Sequence, residues 1–306
     1  MARNEPVTIG LPFYNCETTL AYALQSVFAQ TDPEWQLLLV DDGSTDGSLA
    51  IARQVRDPRV VVISDGINRG LPYRLNQIAA LSQWRYLARM DGDDLMHPER
   101  ICRQREFLQR NPGVDAVGSP AFIIDASNEV TGRRGDTRFD SSPQSVLEHG
   151  LFIHPTVMGL RDWFRSHPYD PSFVRAEDRE LWCRAAGTAT FARLDEALLF
   201  YREPEAVNVG NYLQSCATDR QIFKQYGPDL VGAARTRALV ARSFVKSTCY
   251  RTARVSGRAR LLVRRRNRVL TPSDHQAAKE VVERILSTPV PGLCTSLPRS
   301  ACLVEA

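Results

Sequence analysis

The 306-residue chain has little sulfur chemistry to offer. Its seven cysteines, at positions 16, 102, 183, 216, 249, 294 and 302, are odd in number, widely spaced, and form no Cys-x-x-Cys pair. That pattern argues against zinc and dithiol redox motifs and predicts reduced thiols in a cytoplasmic protein. No apolar run reaches the ~18 residues needed to cross a bilayer. The opening stretch MARNEPVTIGLPFYN lacks the apolar core of a secretory signal. The expectation is a cytoplasmic protein that meets a membrane, if at all, only peripherally on its inner face. Acidic residues are missing from one long segment. Between Leu230 and Ser273 there are twelve Lys or Arg and no Asp or Glu, while the remainder carries 27 basic and 35 acidic residues. The asymmetry points to an anionic partner for that segment.

What is present suffices for a folded domain. Hydrophobic residues make up 43% and charged residues 24%, ordinary for a soluble chain with a real core. The first hundred residues alternate two periodicities. PVTIGLP reads as a strand ending at Pro12, and TTLAYALQSVFAQ as a helix with Leu20, Leu24, Val27 and Phe28 on one face. WQLLLV, RVVVIS and YLARM read as strands; SLAIARQV and GLPYRLNQIAALSQ read as helices, the former with Ser44 or Thr45 as its N-cap. Strands alternating with helices predict a parallel sheet covered on both faces. Ligands then bind beyond the carboxyl ends of the strands. ERICRQREFLQRNP predicts a further helix and VDAVGSPAFIID one or two strands. Residues 126–143 read as an exposed loop, and the chain from 211 onward as mainly helical.

Three strand ends carry the chemistry. MDGDD places Asp91, Asp93 and Asp94 directly after an apolar stretch. Hard divalent cations prefer oxygen, and magnesium is held by one or two carboxylates plus substrate phosphates. Gly92 would let the backbone approach a ligand. In isolation the same residues read more readily as a solvated, helix-capping turn, and their place after a buried-looking strand in an α/β pattern shifts the balance. LLLVDDGSTDGS ends in Asp41 and Asp42, where a carboxylate can accept from a ribose hydroxyl or a base N–H. LPFYNCE offers Tyr14 as an aromatic platform for a base.

Together IGLPFYNCETTLAYALQSVFAQT, LLLVDDGSTDGS, NRGLPYRLNQIAAL and YLARMDGDDLMHPERI resemble the N-terminal half of family-2 glycosyltransferases. HPTVMGLRDWF, AEDRELWCRAAG and LLFYRE resemble that family's acceptor-side segments, so the likeness covers roughly residues 5–203. The resemblance implies an α/β, GT-A fold: a Rossmann-like nucleotide-binding sheet with helices on both faces. It implies a catalytic domain over 1–210, with a nucleotide-sugar half (1–118) and an acceptor half (119–210), followed by a helical basic region (211–306). By the same resemblance, Pro12, Tyr14, Asn15, Asp42, Asn68, Arg69 and Asp91 line the nucleotide. Asp91 and Asp93 hold Mn2+ or Mg2+. Asp178 is the base that takes the acceptor proton, and His154, Glu177 and Trp182 face the acceptor. The implied reaction is inverting transfer of one sugar from a UDP-, GDP- or dTDP-linked donor to a glycan or lipid-linked acceptor, in surface polysaccharide synthesis. The chain departs from the pattern in two places. The histidine many relatives carry after the Tyr-Arg pair is absent from FYREPEAVN, which leaves the metal without that ligand or with water in its place. The Gln-x-x-Arg-Trp motif of processive members is also missing, which argues for single additions.

The basic run Arg235–Leu270 mixes arginine with apolar residues in no clean stripe. On anionic lipid each basic residue near the surface contributes ~1 kcal/mol. A solvated helix packed on the catalytic domain is the alternative. Two other functional classes compete with the transferase. A nucleotidyltransferase making sugar nucleotides needs an early glycine-rich phosphate loop that LPFYNCETT does not provide. An arginine-rich nucleic-acid binder leaves the acidic strand ends without a purpose, so no nucleic-acid partner is expected.

Overall fold

The computed structural model describes residues 5–135, 138–173, 175–203, 209–255 and 267–293. β1 (Val7–Phe13), β2 (Trp35–Asp41), β3 (Val60–Ser64) and β4 (Tyr86–Arg89) pair in parallel, with β1 between β2 and β4. Helices α1 (Leu20–Phe28), α2 (Ser48–Gln54) and α3 (Leu71–Leu81) make the crossovers. The strand period of two sorts side chains into two cores. Ile9, Leu11, Leu37 and Leu39 pack with Leu20, Leu24 and Val27 of α1 on one face. Leu38 and Val40 pack with Leu75 and Ile78 of α3 on the other. Gly10 is required on that second face, because a Cβ there would sit 2.4 Å from the Ile78 side chain.

The sheet is mixed rather than parallel. After β5 (Leu95–Met96) and α4 (Arg100–Arg110), the chain adds β6 (Ala116–Gly118), β9 (Met158–Leu160) and β10 (Phe191–Arg193). The seven-stranded order is β10-β6-β9-β4-β1-β2-β3, and β9 runs antiparallel to both neighbours. A second sheet, β5-β11-β7-β8, joins β7 (Ala121–Ile124), β8 (Val130–Arg134) and β11 (Leu199–Arg202) to β5. The two expected halves of the catalytic region therefore share both sheets. β8 also corrects the reading of 126–143 as loop throughout. Two smaller boundaries move. β1 continues through Pro12 to Phe13, because Pro12 lies past the last β4 pairing at Gly10, where one side of the strand is open. α2 starts at Ser48 after Gly47 rather than at Ser44 or Thr45, because Asp46 accepts from the Ser48 amide and hydroxyl.

α5 (Pro143–His149), α6 (Arg161–Ser166) and α7 (Glu177–Ala185) complete the second core. α8 (Val209–Val231) and α9 (Ala233–Val255) form an antiparallel pair, and α10 (Pro272–Leu286) returns to cover Leu95, Ile124 and Phe200. The basic region is thus partly woven into the catalytic body. α9 buries Leu239, Ser243, Ser247 and Tyr250 and exposes Arg237, Arg242, Phe244, Val245 and Lys246. The rest of the expected basic run, 256–266, lies outside the described residues. No described helix is long and apolar enough to cross a membrane.

Trp182 of α7 has no exposed surface and is ringed by Phe152, Trp163 and Phe191 at centroid distances of 5.3, 5.9 and 5.4 Å. Truncating so large a buried ring typically costs about 3–5 kcal/mol. Trp182→Ala is therefore expected to shift the urea midpoint by a loss of that size. A variant with wild-type stability would place the ring elsewhere.

Candidate active site

The parallel strands deliver their carboxyl ends to one edge, and the predicted nucleotide residues gather there with unequal freedom. Tyr14 and Asn15 lie at the surface beyond β1, whereas Pro12 is buried in the strand. Asn15 ties the edge together: its amide donates to the Ser44 hydroxyl and its Oδ1 accepts from the Thr45 amide. Asp42 is nearly buried and already engaged. Its carboxylate accepts from the amides of Arg69 and Gly70 and from Arg74 Nε at 2.8 Å. It shapes the 65–70 loop and has little left for a base or ribose. Gly43 (φ +74°) allows this closeness, since a Cβ there would meet the Asn68 amide nitrogen at 2.6 Å. Asn68 and Arg69 are exposed, and Arg69 pairs with Asp65.

Next along the edge stand Asp91, Asp93 and Asp94, whose oxygens can lie within 4.8 Å of one another. Asp93 is open to water yet closely ringed by protein, as a carboxylate on a cleft wall should be. Burial and the Asp91 charge push it up to about 6. Asp94 is buried and held well above the ordinary carboxylate range by burial, then by Asp93 and Asp91. Its Oδ1 accepts from the Arg202 amide at 2.8 Å, and its Oδ2 has no hydrogen-bond partner among the described residues. Three crowded carboxylates with an orphaned oxygen suit a hard dication such as Mn2+ or Mg2+. Among the described residues no histidine joins them. Gly92 serves packing rather than ligand approach: a Cβ there would strike Cys16 Sγ at 2.9 Å and Phe13 Cβ at 3.1 Å.

Beside this cluster lies a second, of His154, Glu177 and Asp178. His154 opens the 3-10 turn leading into β9, and the two acids open α7, whose N-terminal dipole favours anions. His154 Nδ1 lies 3.4 Å from Glu177 Oε1, and its Nε2 lies 2.9 Å from the Tyr169 hydroxyl. Burial, reinforced by Arg89, pushes the imidazole down to about 3, so it is neutral. Which partner donates in the His154–Tyr169 bond depends on the imidazole tautomer. Burial raises Glu177 and Asp178 above their ordinary values, and Arg89 opposes the rise at both.

Arg89 links the clusters, and sequence reasoning missed it. It is buried at the end of β4, pairs with Asp91 at 2.8 Å, and acts on Glu177 and Asp178. Its Nε and Nη1 are buried without hydrogen-bond partners among the described residues. Arg202 was also missed. Its guanidinium donates to the Asp93 and Asp125 carbonyls and to Asn128 Oδ1, all at 2.6 Å, fixing the acidic turn. The sequence signal for both was an arginine within or beside an apolar strand. Trp182 corrects the other way: it is core, with no face free for an acceptor. Among the described residues only Asn15, Asn128 and Ala176 are non-glycines with positive φ (49°, 67° and 60°). All three adjoin this edge, and such strain, about 1–3 kcal/mol each, clusters at functional sites.

A carboxyl whose value is raised by folding destabilises the fold above that value and ceases to do so as pH falls through it. Without metal, the protein is expected to gain thermal stability as pH falls from about 7.5 to about 5.5, the window set by Asp93 near 6. Asp93→Asn should flatten that rise in a melting series in EDTA. An equally steep variant would argue against the assignment.

The family model described as "Glycosyl transferase family 2" matches residues 8–168. EpsE of Bacillus subtilis (strain 168) is 34% identical over 186 residues, spanning 58% of this chain and 66% of that protein. An Escherichia coli relative, the UDP-Glc:alpha-D-GlcNAc-diphosphoundecaprenol beta-1,3-glucosyltransferase WfaP, is 29% identical over 230 residues, 73% of this chain and 87% of its own. Among solved structures, the mannosyltransferase PcManGT of Pyrobaculum calidifontis, in complex with GDP-Man and Mn2+, superposes with a TM-score of 0.56. It is 14% identical and covers 93% of this chain and 86% of its own. S. aureus TarS 1-349 in complex with UDP-GlcNAc gives 0.56 at 16% identity, covering 78% of this chain and 71% of that one. The mixed α/β body with its helical C-terminal region is thus a GT-A fold, and the chain belongs to glycosyl transferase family 2.

Proposed function

We propose that the protein is a metal-dependent, inverting glycosyltransferase that adds one sugar from a nucleotide-diphosphate donor to a lipid-linked glycan. The observation that carries this reading is the pairing of two acid clusters across Arg89. One is a crowded, dication-seeking triad; the other is a buried carboxylate pair beside a neutral histidine. A single displacement needs both, one toward the leaving diphosphate and one toward the incoming hydroxyl. Asp91 and Asp93 would hold the ion, and Tyr14 is the base platform. A bound Mn2+ or Mg2+ supplies Lewis-acid neutralisation of the departing diphosphate. Asp178 takes the proton of the attacking acceptor hydroxyl, a role that typically contributes ~10²–10⁴-fold. Glu177 and the Tyr169–His154 pair position the start of α7, and Arg89 opposes the burial that raises Asp178. Relatives named for diphosphoundecaprenol-linked acceptors support the lipid-linked substrate.

Asp178→Asn should keep nucleotide affinity while turnover falls by at least about 10²-fold. Normal turnover would remove Asp178 as the base. Because burial lifts Asp178 above the ordinary value of 3.8, the acid limb of turnover should lie above that pH. Asp93→Ala should abolish the Mn2+-dependent part of nucleotide binding in calorimetry, and unchanged affinity would contradict the metal assignment. A thermal-shift panel of UDP, GDP and dTDP with and without Mn2+ identifies the donor class.

A further inference from the structure

The two acid clusters differ in their donor atoms. Asp91, Asp93 and Asp94 offer oxygen alone, the donor set of a hard dication. The second cluster adds an imidazole nitrogen to the carboxylates of Glu177 and Asp178. Imidazole suits borderline ions such as zinc, whereas carboxylate and water suit magnesium and manganese. One nitrogen and two carboxylates are a three-ligand set that zinc accepts, with a fourth position left for water.

The geometry fits such an ion. His154 Nδ1 lies 3.4 Å from Glu177 Oε1. That is long for an N–H···O bond, which spans about 2.7–3.2 Å. It matches two ligands of one tetrahedral zinc: with bonds of about 2.0–2.1 Å, neighbouring ligands stand about 3.3–3.4 Å apart. The three donor atoms lie within 4.8 Å of one another, close enough for one ion to gather them. The ring is also oriented from behind. Its Nε2 meets the Tyr169 hydroxyl at 2.9 Å, and the Asn76 side chain holds the Tyr169 backbone at two points. Metal-ligating histidines are ordinarily fixed in this way, through the other ring nitrogen. His154 is 9% exposed and Glu177 8%, while Asp178 is half-buried, so the ion has a side from which to enter. Arg89 and Arg175 act on Glu177 only at a distance: among the described residues neither is ion-paired with Glu177 or Asp178, and Arg89 is committed to Asp91.

We infer that His154, Glu177 and Asp178 form a second metal site, which takes Zn2+ in preference to Mg2+ or Mn2+ and whose occupation inhibits transfer. With Nδ1 on the ion, the imidazole proton sits on Nε2 and is donated to the Tyr169 oxygen. Zinc on Asp178 occupies the lone pair that would take the proton of the acceptor hydroxyl, and it leaves the oxygen-only cluster free for the donor's ion. The inhibitory half rests on the glycosyltransferase reading and deepens it; the binding half rests on the donor set and its spacing.

Asp93→Asn removes a ligand from the oxygen-only cluster and so isolates the second site. Co2+ is the probe, because tetrahedral Co2+ absorbs visible light far more strongly than octahedral Co2+. In the full chain carrying Asp93→Asn, Co2+ should give the tetrahedral spectrum, and one equivalent of Zn2+ should abolish it. Adding His154→Gln, or separately Glu177→Gln, should remove the spectrum and weaken Zn2+ binding at least ten-fold in calorimetry. Cooperative melting in EDTA certifies the fold of each variant. No tetrahedral spectrum, or Zn2+ affinity unchanged by both substitutions, would overturn the site. In the wild type with saturating Mn2+, Zn2+ should suppress turnover while nucleotide affinity stays the same. Suppression reversed by more Mn2+ would place the zinc at Asp91 and Asp93 and overturn the inhibitory role. If Zn2+ binds as described but no nucleotide stabilises the protein with Mn2+, the functional reading fails while the metal site stands.

Discussion

One buried cation governs the catalytic edge. Arg89 sits where β4 hands over to the acidic turn, paired with Asp91 and within electrostatic reach of Glu177, Asp178 and His154. Burial is the larger influence on both acids and raises them; the guanidinium and the dipole at the start of α7 oppose it. The guanidinium's place is secured from behind by Arg100, which donates to the carbonyls of Arg89 and Val157 at 2.8 and 3.2 Å and so pins β4 and β9 together. The same seam brings His154, some 65 residues away in sequence, to the acidic turn.

Positive charge is nonetheless short at that turn. Arg202 is a second guanidinium close by, and it directs its donors at two backbone carbonyls and an asparagine rather than at the aspartates. Arg89 has one strong partner in Asp91. Three carboxylates thus face one committed ion pair. Burial first, and then this crowding of like charge, raises Asp93 and Asp94, and an exchangeable dication would offset the crowding. A third fixed arginine there would satisfy the acids permanently and close the site to a metal-borne diphosphate.

The sequence made the strands and first helices legible because their apolar residues follow clean periods, and both faces of β1 and β2 are buried. It made the acidic strand ends legible because carboxylates after an apolar strand are locally unusual. It hid whatever depends on distant pairing. Val130–Arg134 has only Val130 and Gly132 buried, and it becomes a strand by pairing with Ala121–Ile124. β9 is three residues long, and its reversed direction can be read only from its neighbours. Trp182 and Glu177 belong to one short helix with similar local signals. Only the tertiary packing of Phe152, Trp163 and Phe191 decides that the indole is core while the acid faces the site.

The buried, neutral His154 stands where the turn into β9 meets the start of α7. Neutrality matters at that boundary. A charged imidazole beside Glu177 would add a fixed cation there, whereas the neutral ring is held by its bond to the Tyr169 hydroxyl. Tyr169 is itself clamped at two points by the Asn76 side chain, at 2.8 Å each, and Asn76 lies on α3, directly behind the 65–70 loop that Asp42 organises. Directional bonds thus run from α3 through Tyr169 to the His154 ring, and they hold position without adding charge to the acidic edge.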